Sequence, residues 1–234
     1  MRSAGAEVAA ARPKAFLVDV YETILTCDDE VLRNELPVIV GAEPHVWGAA
    51  FARVVPDLTH GRLAMAQGFE QILAACDIRP SPALVRELVC KDRELLAASS
   101  RLYDDAIPFL RMLRSSGVRV ALVSNCIENT RPLLADLGIS ALVDAIVLSC
   151  EVGWAKPDPR IYRRALDQLG VIPGAAVFVD DQPACCAGAA AEGMTALQIA
   201  RGSAPLPAPV PGTQVIGSLL EAALMLSGRW PRRS

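Results

Sequence analysis

Residues 16–25 read FLVDVYETIL: a short apolar run, an aspartate, then a polar turn. An aliphatic run of this length reads as a strand buried on both faces. Similar runs recur at 119–123, 145–149, 176–179 and 195–199. Amphipathic stretches of helical length lie between them, at 105–116, 128–137, 159–169 and 184–192. Each is followed by a glycine able to end it (Gly117, Gly138, Gly170, Gly193). Strand, helix, glycine and strand in repetition predict right-handed crossovers and an α/β fold, with a Rossmann-like parallel sheet carrying helices on both sides.

Nearly a hundred residues separate the first two strands, far more than one crossover needs. This segment reads as helices at 30–36, 44–54, 63–76 and 83–98, punctuated by Pro37, Pro44, Pro56 and the Pro80-Ser81-Pro82 cluster. The expected organisation is a core of residues 14–26 and 101–204, with an inserted helical lid or cap at 27–100. A C-terminal extension follows at 205–228, opening with a proline-rich linker and closing on a short strand plus helix at 213–226. The first residues before Phe16 read as a frayed, cytoplasmic N-terminus, and 228–234 as a disordered tail.

Composition limits the function. Among 234 residues, 23 Lys+Arg against 26 Asp+Glu leave a net charge of -3, which argues against nucleic-acid binding as the main task. No run approaches the roughly 18 apolar residues of a membrane span. The seven cysteines form no C-x-x-C, and only His45 and His60 could join them, so neither a disulfide framework nor a zinc site is indicated. Reduced, mostly buried thiols are expected. The expected partner is a small-molecule substrate, with no nucleic acid and no membrane; a homodimer is left open.

In open parallel sheets, ligands bind beyond the carboxyl ends of the strands. There the sequence places Asp19 to Thr23, then Ser124-Asn125-Cys126, then Lys156-Pro157-Asp158-Pro159, then Asp180-Asp181-Gln182. Three carboxylates, a lysine and a hydroxyl thus converge on one rim. A carboxylate can attack phosphorus or carbon and form an intermediate that water hydrolyses. Clustered carboxylates repel one another unless a cation sits among them, and oxygen ligands select Mg²⁺. Taken singly, each residue also has a plainer reading. Asp180-Asp181 is a common helix cap ahead of Pro183, Lys156-Pro157 a solvated turn, and Ser124 a cap. Trp47 and Phe51, at i and i+4, read as packing of the lid's own core, and Arg62 as a solvated surface arginine.

The stretches FLVDVYETIL (16–25), ALVSNC (121–126), EVGWAKPDPRIY (151–162) and VFVDDQP (177–183) resemble, in order and spacing, the four motifs of the haloacid dehalogenase superfamily of hydrolases. The segment between the first two resembles that family's cap. The resemblance implies Asp19 as nucleophile and Ser124, with the Asn125 backbone, as the substrate-anion ligand. It implies Lys156 as the group that orients Asp19. It further implies a Mg²⁺ site formed by Asp19, the Tyr21 backbone carbonyl and Asp181, with Asp180 in support or contacting Lys156. Tyr21 also stands among the substrate-binding residues.

Two departures point in opposite directions. Phosphatases of the family carry a second aspartate two residues after the nucleophile, as general acid and base; here that residue is Tyr21, which resembles the metal-independent 2-haloacid dehalogenases. Glu22 replaces the usual glycine and reads either as a solvated loop acid or as a substitute acid/base. Asp180-Asp181, in contrast, resembles the phosphatases. The preferred expectation is a Mg²⁺-dependent phosphatase. The alternatives are a 2-haloacid dehalogenase, or a weakened enzyme or binding protein on the same scaffold.

Overall fold

Residues Ala15, Phe16, Leu17 and Val18 are all fully buried, and they alternate between two hydrophobic clusters on opposite sides of the sheet. Phe16 and Val18 join one cluster, Ala15 and Leu17 the other. This is what a central strand covered on both faces requires. A computed structural model describes residues 12–201, 211 and 213–227. The expected frayed N-terminus at 1–11, most of the proline-rich linker and the tail 228–234 lie outside the described residues.

The strands are β1 (Ala15–Val18), β2 (Leu25–Cys27), β3 (Ser100–Leu102), β4 (Arg119–Ser124), β5 (Ala145–Leu148), β6 (Ala176–Asp180), β7 (Thr195–Ile199) and β8 (Gln214–Ile216). The described residues form a six-stranded sheet ordered β5-β4-β1-β6-β7-β8, parallel throughout. The register sets Leu17 beside Ala121 on one side and Phe178 on the other. The chain order reverses at β1, so the crevice where ligands bind such sheets lies beyond the ends of β1, β4 and β6. The helices are α1 (Asp29–Val40), α2 (Pro44–Thr59), α3 (Met65–Ala75), α4 (Pro82–Ser99), α5 (Ala106–Ser115), α6 (Thr130–Asp136), α7 (Ser149–Val152), α8 (Pro159–Leu169), α9 (Pro183–Ala191) and α10 (Leu219–Ala223).

The long insertion holds α1–α4, as the sequence predicts, but with two differences. Pro37 and Pro56 do not end helices; each lies inside one, within its last turn. A proline there loses one helical bond but keeps its carbonyl. The Pro37 carbonyl accepts from Gly41 and Ala42, and the Pro56 carbonyl from His60. Second, β2 and β3 pair antiparallel at the two ends of the insertion. Three-residue strands carry too little periodicity to be recognised in the sequence. The helices have a core of their own, in which Trp47 and Phe69 stack at 6.0 Å and Phe51 packs at the edge. Arg62 is exposed and paired with Asp57 at 2.7 Å. None of the seven cysteines is in a disulfide; Cys126, Cys185 and Cys186 are buried, Cys90 is exposed and the others lie between. No helix among the described residues is long and apolar enough to cross a membrane.

The four-helix unit meets the sheet domain through backbone-close contacts. Gly61, with φ +63°, lies so near the Cys150 carbonyl that a Cβ would fall 2.0 Å from its oxygen. The Met65 N–H donates to Glu128 at 3.1 Å. Asp92 on α4 is buried and accepts a bond from the Asn129 amide just ahead of α6. Burial raises the Asp92 carboxyl from 3.8 to about 6; the Asn129 bond lowers it and nearby Glu128 raises it further.

A raised carboxyl keeps its proton longer in the folded state, so this group's contribution to stability falls as pH climbs from about 4 to about 6 and then levels off. Asp92→Asn keeps a partner for Asn129 and removes the charge. Its stability gain should reach about 2–3 kcal/mol at pH 7.5 and shrink below about 1 kcal/mol at pH 4. Denaturant unfolding at the two pH values measures it; an equal gain at both would contradict the assignment.

Candidate active site

The site is assembled from the ends of three adjacent strands. The Asp19 N–H, just past β1, donates to the Val179 carbonyl at 2.9 Å, which fixes the aspartate against β6. Ser124 ends β4 and Asp180 ends β6. Lys156 arrives on the loop before α8, and Asn125 holds it there by a two-way clasp. The Asn125 Nδ2 donates to the Lys156 carbonyl at 2.8 Å, and the Lys156 N–H donates to Asn125 Oδ1 at 2.7 Å. From the other side, α9 approaches this loop closely. A Cβ at Gly188 would sit 2.8 Å from Pro157 and 2.9 Å from the Tyr162 hydroxyl, so a side chain there would push the lysine loop away.

The Lys156 ammonium donates to Asp19 Oδ1 at 2.5 Å and to Asp180 Oδ2 at 2.6 Å, and all three side chains are buried. The remaining Asp180 oxygen accepts from the Gln182 N–H at 2.7 Å. Thr23 lies 3.5 Å from Asp19 Oδ2. Asp181, half-buried, completes a cluster in which oxygens of Asp19, Asp180 and Asp181 all lie within 4.8 Å of one another. The Ser124 hydroxyl is buried and has no hydrogen-bond partner among the described residues. Such a group costs about 1–3 kcal/mol unless something bonds to it, and it suits an acceptor oxygen of a ligand.

Electrostatically the cluster is short of positive charge. Burial works against the Lys156 ammonium, but Asp19 and Asp180 outweigh it and hold its pKa well above the usual lysine value. Burial raises Asp19 to about 6, with Lys156 pulling down and Asp180 pushing up. Asp181 is likewise raised to about 6, by burial and by Asp19. Asp180 is raised by burial against the pull of Lys156. Three carboxylates share one ammonium, so a divalent cation with oxygen ligands and retained waters fits this donor set.

Asp19, Lys156, Asp180 and Asp181 therefore come together, and Ser124 lies at the end of the neighbouring strand. The Asn125 side chain is occupied by the lysine loop. The Tyr21 hydroxyl shares a hydrogen bond with Thr130 at 2.9 Å. Glu22 has a left-handed backbone, φ 52°, a conformation glycine adopts freely and other residues rarely. Its carboxylate accepts from Thr26 at 2.8 Å and from the Tyr103 hydroxyl at 2.7 Å. Both oxygens thus tie down the turn between β1 and β2. Trp154, in the lysine loop, carries Arg160 over its ring at 5.0 Å. Thr130 and Tyr103 have no local sequence signal that would have drawn attention to them.

A profile of haloacid dehalogenase-like hydrolases matches residues 13–193. The chain belongs to this family. It is 34% identical over 136 residues to the glyceraldehyde 3-phosphate phosphatase of Methanopyrus kandleri, covering 57% of this chain but only 58% of that enzyme. It is 31% identical over 206 residues to the (S)-2-haloacid dehalogenase 4A of Burkholderia cepacia, covering 80% and 83% of the two chains. Among solved structures, a HAD phosphatase from Thermococcus onnurineus superposes with a TM-score of 0.67 at 25% identity, over 93% of this chain and 100% of that one. The family is one of hydrolases, and the relatives of this chain within it include both phosphatases and a dehalogenase.

The lysine is the test of the site's electrostatics. Lys156→Met would leave Asp19 and Asp180 facing each other in a buried place and should cost about 3–5 kcal/mol of stability. Adding Asp180→Asn removes the repulsion and should recover part of that loss. Chemical denaturation of the two variants checks this; a single variant as stable as the wild type would contradict it.

Proposed function

We propose that this chain is a Mg²⁺-dependent phosphatase of small phosphate esters that works through an aspartyl-phosphate on Asp19. The observation that carries the reading is the third carboxylate, Asp181, beside Asp19 and Asp180, which makes the set a donor group for a divalent cation. Displacement of halide from carbon needs no cation, whereas transfer of an anionic phosphoryl group is helped by one. Mg²⁺ would be held by Asp19, Asp181 and the Tyr21 carbonyl, with Asp180 at the edge of the set, and when bound would offset charge on the phosphoryl oxygens. Lys156 keeps Asp19 ionised and aimed. The Ser124 hydroxyl and the Asn125 backbone grip the phosphoryl oxygens. An Asp19 oxygen attacks phosphorus, the ester oxygen leaves, and water then hydrolyses the acyl-phosphate. The helices α1–α4 act as a cap that excludes water and selects the substrate. The setting would be cytoplasmic.

The departing oxygen is the weak point. General acid help is worth about 10²–10⁴-fold, and position 21 offers only a phenol, by nature a much weaker acid than a carboxyl group, which is engaged with Thr130. Glu22 does not replace it, since its carboxylate holds Thr26 and Tyr103. Substrates whose leaving group needs little protonation, such as aryl or acyl phosphates, should therefore be preferred over alkyl esters.

A second reading is a 2-haloacid dehalogenase forming an ester on Asp19. It is favoured by Tyr21, because halide leaves without a proton, and by the long match to the Burkholderia enzyme.

A panel of phosphate esters and 2-haloacids, with Mg²⁺ or with a chelator, distinguishes the two, using Asp19→Asn as blank. The proposal expects phosphate release that the chelator and Asp19→Asn both abolish; halide release indifferent to the chelator would replace it with the second reading. Across esters of graded leaving-group pKa, turnover should fall steeply. Tyr21→Asp should flatten that dependence, raising alkyl-ester turnover by about 10-fold or more. An unchanged slope would mean the missing acid is not what limits the reaction.

A further inference from the structure

Arg201 lies just past β7, beyond the four motif stretches, and it is buried against the turn that follows the nucleophile. Its guanidinium forms a two-bond fork with Asp105, at 2.8 and 2.9 Å, and both groups are about nine-tenths buried. Two of its nitrogens also converge on a single backbone oxygen: Nη2 and Nε donate to the Thr23 carbonyl at 2.5 and 3.2 Å. The flat face of the group lies 4.1 Å from the centre of the Tyr103 ring. Tyr103 in turn donates from its hydroxyl to Glu22 at 2.7 Å, and from its backbone N–H to the Ile24 carbonyl at 3.1 Å. Asp105 also accepts from the Leu219 N–H at 2.8 Å, which anchors the whole arrangement to α10.

Apart from the Leu219 bond, each of these contacts ends on the segment 22–24 or on a residue that holds it. That segment needs holding. Glu22 sits in a left-handed conformation unusual for a residue with a side chain. Thr23 is fully buried, and its hydroxyl is the contact to the Asp19 oxygen that Lys156 leaves over.

We propose that Arg201 is a positioning residue for the nucleophile, acting through Thr23: by gripping the Thr23 carbonyl it sets the turn that aims Asp19. The inference rests on Asp19 being the attacking group. Lysine cannot substitute, because one ammonium cannot form a planar fork with Asp105 while also meeting the Thr23 carbonyl and lying flat on Tyr103. The cost of a loosened turn falls on the reacting geometry rather than on substrate affinity.

The test combines hydrogen exchange of the full-length protein with a double-mutant cycle. In Arg201→Lys, amides in the segment 20–27 should exchange about tenfold faster or more, while those of α2 and α3 stay unchanged. For whichever ester or haloacid the wild type hydrolyses, kcat should fall about 10- to 100-fold with KM within about twofold. In a Thr23→Val background the same change should lower kcat by less than about threefold, since the link it acts through is already cut. Asp105→Asn weakens the fork more gently and should give the same pattern at smaller size, which covers the case of Arg201→Lys failing to fold. Unchanged exchange in 20–27, or losses in kcat that simply multiply in the double variant, would overturn the proposal. Turnover retained by Asp19→Asn would instead overturn the nucleophile reading, a result separable from the exchange data.

Discussion

One buried ammonium between two buried carboxylates holds this site together. Lys156 bonds both Asp19 and Asp180, from a loop that belongs to neither of their strands. The sheet supplies the carboxylates: parallel strands β1 and β6, in direct register, end side by side and bring two acids close that would otherwise repel. The lysine loop must then be delivered to them, and it is held from two sides. Asn125 clasps its backbone at the end of β4, and the small Gly188 lets α9 close behind it. The three strand ends that meet at the sheet's reversal point are thus tied through one loop. Without the lysine the acids would be stranded; with it, one positive charge still faces three negative ones, and that imbalance shapes the chemistry.

Much of this was readable in the sequence. Apolar runs of four to six residues announced buried strands, and glycines past each amphipathic stretch announced the helix stops. The acids and the lysine stood out because strand ends in such a sheet are where ligands bind. What escaped was everything decided by tertiary contact. The strands β2 and β3 are three residues each and exist because the ends of the insertion meet. Pro37 and Pro56 looked like breaks, but near a helix end a proline loses only one bond and its carbonyl still accepts. Asp92, surrounded by ordinary helical sequence, became a buried acid only by facing Asn129 across the join between the helices and the sheet domain. Arg201 had no motif at all; its role comes from the distance it closes, 178 residues back along the chain to Thr23.

The two departures from the family pattern also gain a physical meaning. Glu22 occupies a backbone shape suited to glycine, and both of its carboxylate oxygens are engaged by Thr26 and Tyr103, which ties down the turn. Tyr21 leaves the site with carboxylates enough to bind a cation and an oxygen nucleophile, but without a strong acid for the departing group. A family that includes both phosphatases and a dehalogenase contains both halves of this combination, and this chain carries the two together. An attacking oxygen on Asp19 is common to either proposed chemistry.

Rapid acid quenching during turnover of an aryl phosphate, followed by mass spectrometry of the digested protein, tests it. The account predicts a transient peptide carrying one added phosphoryl group on Asp19, absent from Asp19→Asn. Turnover with the phosphoryl group on another residue, or with none detectable on the protein at any quench time, would contradict it.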